Sequence, residues 1–150
     1  AKSLLDLPAT LELLETLGVP VIGLATEELP AFFSRESGLK LRQKASNVVE
    51  AANIITNRHA LGLEGGEVLA VPPPATTALA QSDVNQWIGL AINEARASNT
   101  RGNAVTPFLL ERLAELSGGR TLTANIALIE HNAAVAASFA IARAACTFSS

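Results

Sequence analysis

An α/β fold with a helical C-terminal third is what this sequence predicts. Three observations lead there. Helical periodicity followed by a short apolar strand run occurs twice in the first half of the chain. Each of the two helical runs ends at glycine, and the second strand run is stopped by a triple proline. The last third has Ala and Leu at helical spacing and no strand run at all.

Taken in order, Ala1-Lys2-Ser3 reads as the end of an earlier strand, or the loop after it. Asp6 then supplies a capping carboxylate and Pro8 sits in the first turn, where a missing N–H does no harm. Leu7, Leu11, Leu14 and Leu17 recur at helical spacing, and Gly18 is a C-terminal stop. VPVIGL (19–24) reads as a buried strand, which makes a βαβ layout with Lys2 near a strand's C-terminal end. In open α/β sheets that edge is where ligands bind.

ELPAFFSRESGLK (28–40) is loop-like, with two adjacent Phe, Pro30 and Gly38. Ser46 is expected to cap a helix to about Leu61 carrying Val49, Ala52, Ile55 and His59. Gly62 and Gly65-Gly66 end it, and EVLAV (67–71) is a second strand run stopped by Pro72-Pro73-Pro74. Ser82 is expected to cap a helix to about Ala97 with Val84, Ile88, Ala91, Ile92 and Ala95 as its core stripe. Thr106-Pro107 opens another to about Leu116, closed by Gly118-Gly119. A long last helix runs from about Thr121 to Ala145. No internal repeat or linker divides the chain, so residues 1–150 are read as one domain.

Composition narrows the function. A net charge of −3 and the lack of any basic run argue against a nucleic-acid binder. Cys146 is the only cysteine, so no internal disulfide and no thiolate metal site can form, and a reducing, cytoplasmic compartment is expected. No secretory leader is visible at AKSLLD. No window reaches the about 18 uncharged apolar residues of a membrane span, so no membrane partner is expected. NAAVAASFAIARAAC comes nearest, interrupted by Arg143. The chain has no Met, and is read as a piece of something longer.

Lys2 has two readings. It is a solvated charge near a terminus, or a nucleophile whose pKa is depressed so that free amine exists near neutral pH. A strand end beneath a helix N-terminus favours the second, because the helix dipole and partial burial both disfavour ammonium. Asn125 and Asn132 lie seven residues apart, about 700° along a helix, and so share a face to within ~20°. Leu128 and Ile129 are read onto that face as well. The amides serve either as helix-packing hydrogen-bond groups or as a site. His59 and His131 are not at ligand spacing from each other or from the cysteine. Glu111 with Glu115, and Glu12 with Glu15, read as solvated helix faces. No nucleophile elbow, P-loop or dinucleotide fingerprint is present.

Several stretches together carry a resemblance. AKSLLDLPATLELLETLGVPVIGL, ELPAFFSRESGLK and above all TPFLLERLAELSGGRTLTANIALIEHNA resemble the C-terminal half of the pseudouridine-5′-phosphate glycosidase family, also called indigoidine synthase A-like. The resemblance runs from Ala1 to about Ala142. It implies a three-layer α/β/α sandwich, assembly as a homotrimer, and a manganese ion held by the family's other, upstream half. The implied reaction is reversible cleavage of pseudouridine 5′-phosphate to uracil and ribose 5-phosphate. The family's catalytic lysine matches Lys2, and its functional asparagine after the Gly-Gly turn matches Asn125.

The chemistry suits a lysine. The scissile bond joins C1′ to a uracil carbon, so no easily protonated oxygen or nitrogen leaves, and a two-carboxylate route fits poorly. An amine that attacks C1′ and opens the ribose ring leads to an iminium that can act as an electron sink. Asn125 would orient or polarise the base or opened sugar. The chain departs from the family where its A-N-P-I-P run reads AVPPP, with Val71 and Pro73, and where its double Asn reads His131-Asn132. Leu41 to Ser46 matches weakly. The resemblance also allows an alternative from another class, a truncated, non-catalytic structural subunit. Half a sandwich is further expected to expose a sheet edge and apolar faces, with weak solubility alone.

Overall fold

The structure is a computed structural model that describes residues 6–147. Lys2 lies outside the described residues. Helix α1 spans Leu7–Thr16 and is capped as expected: Asp6 Oδ1 accepts from the amide of Ala9 at 3.0 Å. Gly18 takes φ +68°, the left-handed conformation that ends the helix, and the chain turns into β1, Val21–Leu24. Strand β2 is Gln43–Ala45 and leads into α2, Val48–Ala60. Strand β3 is Val68–Ala70, followed by α3 over Gln81–Ala97. A 3-10 turn at Gly102–Ala104 precedes α4, Val105–Leu116, and the last helix, α5, runs over Arg120–Thr147.

Among the described residues the sheet has three parallel strands in the order β2-β1-β3. Ile22 pairs with Gln43 on one side and Leu69 on the other. Parallel pairing requires crossovers: residues 25–42 carry the chain from β1 to β2, and α2 carries it from β2 past β1 to β3. Ile22, Ala45, Ala51 and Ile55 form one core cluster between sheet and α2, with Phe139 of α5 packed against it. A second cluster joins Phe33, Val84, Trp87, Leu113 and Ala124, so α3, α4 and α5 close on the loop after β1. A third lies between α3 and α4, around Ala91, Ala95 and Leu109. Mixed α/β architecture with a helical last third is therefore observed.

Five local expectations are corrected. Strand β2 falls in a segment with no strand signal: Gln43 and Lys44 are exposed and only Ala45 is buried, so its pairing comes from β1 rather than from periodicity. The cap of α2 is Asn47, not Ser46. Asn47 Oδ1 accepts from the amides of Val49 and Glu50, while the Ser46 amide donates to Glu50 at 2.7 Å, in the manner of a capping box. Helix α3 starts at Gln81 behind Ala80 and has no side-chain cap. Ile129, expected beside Leu128 on the asparagine face, is 60% exposed, and Leu17 leaves the leucine stripe of α1 at 66% exposed.

Helix α5 also exceeds what the uncharged-run criterion suggested. Arg120–Cys146 is long and apolar enough to cross a membrane by length and composition. Its inner side packs on α2, and side-chain ties fasten its C-terminal half there. Arg143 donates to His59 Nδ1 at 3.0 Å, His59 Nε2 lies 2.8 Å from Glu67, and Cys146 donates to Asn53 at 3.0 Å. His59 is thus a structural link between helices.

Candidate functional site

Direction in the sheet locates the site. Strand β1 ends at Leu24 and β3 at Ala70, so the loops 25–35 and 71–74 stand at the C-terminal edge. Helix α2 starts at that edge, directly after β2. Helix α1 delivers the chain to the opposite end of β1, so its N-terminus, at Asp6, is on the C-terminal side. Helix α5 enters there too, because Ala124 packs with Phe33 of the first loop, while its C-terminal half meets His59 near the start of β3. In an open parallel sheet this is the edge at which ligands bind.

The edge is built from constrained backbone. Ala25 has φ +52° and Phe32 φ +64°, left-handed conformations that cost a non-glycine residue roughly 1–3 kcal/mol each. A Cβ on Gly23 would lie 2.3 Å from the carbonyl oxygen of Thr26, so the chain after β1 turns back on itself too closely for any side chain. The loops are tied to each other. Arg35 Nη1 donates to the Pro73 carbonyl at 2.6 Å, and the Leu79 amide donates to the Phe33 carbonyl. Phe32 and Phe33 meet edge to face, with ring centroids 4.5 Å apart. Pro72 and Pro73 are buried and the Pro73 carbonyl takes the Arg35 bond, so the triple proline packs against the first loop as well as ending the strand.

Asn125 sits half-buried in the N-terminal half of α5, next in the chain to Ala124, which packs with Phe33. Asn132, two turns on, lines a groove of ≈ 590 Å³ between α1, β3 and α5. By spacing the two asparagines share a face of α5, but of the two it is Asn132 that lines the groove, while Asn125 lies nearer the start of the helix, toward the sheet's C-terminal edge. Spacing alone missed two further polar groups. Thr10 faces the groove from α1. Ser34 is 2% exposed and its hydroxyl has no hydrogen-bond partner among the described residues. Only the unusual FFSR run hinted at the second, and it read as loop.

Charge at this edge is paired. Glu28 is held below the usual carboxylate range by its hydrogen bond to Lys40 and by the Gly38 amide. Glu27 is likewise lowered by Lys44. Among the described residues no three His, Cys, Asp or Glu side chains come together as ligands for a metal ion. The resemblance assigns the manganese to the family's other half, and no chemistry here is routed through it.

Comparison with known proteins resolves the kinship. The family model described as "Indigoidine synthase A like protein" matches residues 1–142. The chain belongs to this family. Two relatives, both named pseudouridine-5′-phosphate glycosidase, show how near it stands. That of Caldanaerobacter subterraneus subsp. tengcongensis is 50% identical over 94% of this chain and 46% of its own length. That of Herpetosiphon aurantiacus is 51% identical over 95% of this chain and 47% of its own. Among solved structures, the prealnumycin C-glycosynthase AlnA, in complex with ribulose 5-phosphate, superposes with a TM-score of 0.91 at 33% identity. The likeness covers all of this chain and 49% of AlnA. An indigoidine synthase A-like protein from Thermotoga maritima superposes at 0.80 with 36% identity, over 93% of this chain and 46% of its own. This indigoidine synthase A-like chain spans about half the length of the relatives it matches.

Proposed function

We propose that this chain carries half of the active site of an enzyme that cleaves and forms C-glycosidic bonds, with pseudouridine 5′-phosphate as substrate. The observation that carries the reading is identity near 50% to pseudouridine-5′-phosphate glycosidases across almost the whole chain. Lys2 is the nucleophile of the proposal and Asn125 its orienting amide. The half-buried position of Asn125 at the C-terminal edge of the sheet supports its role.

The proposed steps balance as follows. Nζ of Lys2 forms a bond to C1′ of the ribosyl group as the C1′–O4′ bond breaks and O4′ takes a proton. The nitrogen lone pair then forms C1′=N as the bond from C1′ to uracil C5 breaks, and C5 takes a proton. Water adds to C1′ and expels the lysine as amine, releasing ribose 5-phosphate. Asn125 can donate through its NH2 group or accept through its carbonyl, which suits holding a hydroxyl of the opened sugar or a uracil carbonyl. The proton donor, the phosphate contacts and the manganese belong to the other half in this proposal, as do homotrimeric assembly and a cytoplasmic setting. The AlnA likeness favours a second reading of the same chemistry, run toward C-glycoside formation.

Borohydride reduction in the presence of ribose 5-phosphate tests this, with the half of a relative that this chain does not match supplied in trans. A sugar adduct on the Lys2 peptide by mass spectrometry is the expected result. Absence of any adduct under those conditions overturns the role of Lys2. In the same assembly Lys2→Ala should lower uracil release to background, and Asn125→Ala should lower kcat by roughly 10²–10³.

A further inference from the structure

Arg35 has no task in the reaction proposed above, yet it lies at the same edge of the sheet. The two carboxylates of its loop are already taken, Glu27 by Lys44 and Glu28 by Lys40. Among the described residues Arg35 forms no ion pair, and its Nη1 donates instead to the Pro73 carbonyl, 38 positions further along the chain. Pro72, Pro73 and Pro74 carry no amide N–H, so this segment can be tied to its surroundings only through its carbonyls. The Pro74 carbonyl accepts from the Ala78 amide at 2.9 Å, within its own turn. The Pro73 carbonyl belongs to a buried residue and takes the guanidinium. A buried carbonyl left without a donor is costly, and a charged donor makes the stronger bond.

A second bond closes the ring. The Leu79 amide donates to the Phe33 carbonyl at 2.8 Å, so residues 33–35 are fastened at both ends to residues 73–79. Phe33 is 2% exposed and packs in one cluster with Ala124, the residue before Asn125. Phe32, at φ +64°, holds a conformation that persists only where the surroundings over-determine it. We infer that Arg35 is a positioning residue: by holding the Pro73 carbonyl it fixes the loop after β1 against the triple proline, and through Phe33 and Ala124 it sets the place of Asn125. Its consequence for catalysis rests on the role proposed above for Asn125, whereas the positioning itself does not. One polar donor is enough for this task. Lysine can supply it, while methionine keeps an apolar stem and supplies none.

The test compares Arg35→Met and Arg35→Lys in the isotope-labelled full chain by NMR, with far-UV circular dichroism as the check on folding. Arg35→Met should speed exchange of the Leu79 amide by roughly tenfold or more and shift the side-chain NH2 signals of Asn125. Arg35→Lys should restore both. The Thr100 amide, bonded to the Ala95 carbonyl beyond the far end of α3, should not change. Should Arg35→Met fail to fold, Arg35→Gln, which keeps an amide donor on a shorter side chain, should give a smaller change of the same sign. With the unmatched half of a relative supplied in trans, Arg35→Met should slow borohydride trapping of ribose 5-phosphate by roughly tenfold. In an Asn125→Ala background the same substitution should change trapping by less than about twofold, because the two residues act as one unit. Unmoved Leu79 and Asn125 signals overturn the inference, and so does equal acceleration at Thr100, which marks general loosening. Equal slowing of trapping in both backgrounds overturns it too. A loss that Arg35→Lys fails to restore also overturns it, by pointing to the guanidinium fork as a ligand for an anion. An unsubstituted chain that traps no sugar removes the glycosidase reading and leaves the positioning to be decided by the NMR signals alone.

Discussion

Leu113 and Leu14 hold similar places in two amphipathic helices, and the fold treats them differently. Leu113 of α4 is 0% exposed, enclosed by Phe33, Val84, Trp87 and Ala124. Leu14 of α1 is only half-buried and looks across an open groove. Their sequence surroundings, a leucine stripe with charged residues between, are alike. The partners differ. Helices α3, α4 and α5 close on one another within the chain, whereas nothing in the described residues fills the space between α1 and β3. An amphipathic pattern therefore records which face seeks burial, and the rest of the fold decides whether burial is achieved.

The largest effect should come from truncating the two leucines. Leu113→Ala removes packed methyl groups from a closed core and is expected to cost about 2–5 kcal/mol. Leu14→Ala, with water already at its side, should cost under about 1 kcal/mol. Urea denaturation of both variants checks this, and equal losses would break the contrast.

Removing a helix cap probes the same contrast more gently. Asn47 closes the first turn of α2, which is packed on the sheet, so Asn47→Ala should lower global stability by about 1 kcal/mol. Asp6 makes the equivalent bond for α1. Asp6→Ala should leave the global transition almost unmoved and appear only as faster amide exchange in α1. A comparable global loss from both would show that α1 is as tightly coupled to the core as α2.

Acid should have the smallest effect, confined to the loop after β1. Glu28 is lowered by its bond to Lys40, so its stabilisation is complete above the ordinary glutamate range. It is lost as pH falls through the depressed folded value. Lys40, raised by the same partner, loses its contribution only at strongly alkaline pH. Amide exchange at Leu29 and Leu41, whose amides bond to Leu39 and Glu27 across this loop, should quicken on acidification. Glu28→Gln should remove that dependence while the core around Leu113 shows none.

Some of this was legible before any coordinates. Asp6 and Pro8 mark the start of α1, Gly18 its end, and the triple proline the stop after β3, because each acts through local backbone chemistry. The stripe of α3 was nearly right, with Val84, Ala91 and Ala95 buried, yet Trp87 joined them, as its ring lies in the cluster formed by α4 and α5. Strand β2 was invisible since Gln43-Lys44-Ala45 has neither alternation nor bulk. At the site, Asn125 was singled out by its likeness to a family segment, while Ser34 and Thr10 emerged only when loop and helix were brought beside the sheet edge.

By itself, the sequence determined what is local or inherited: helix limits, stopping points, the α/β class, and membership of the indigoidine synthase A-like family. Tertiary structure alone decided what depends on neighbours distant in the chain. These are the pairing of β2, the enclosure of Leu113 and the exposure of Ile129. The physical reason is that capping, turns and periodicity act over a few residues. Burial and strand pairing are settled by whichever surface arrives from elsewhere, and no short window of sequence contains that surface.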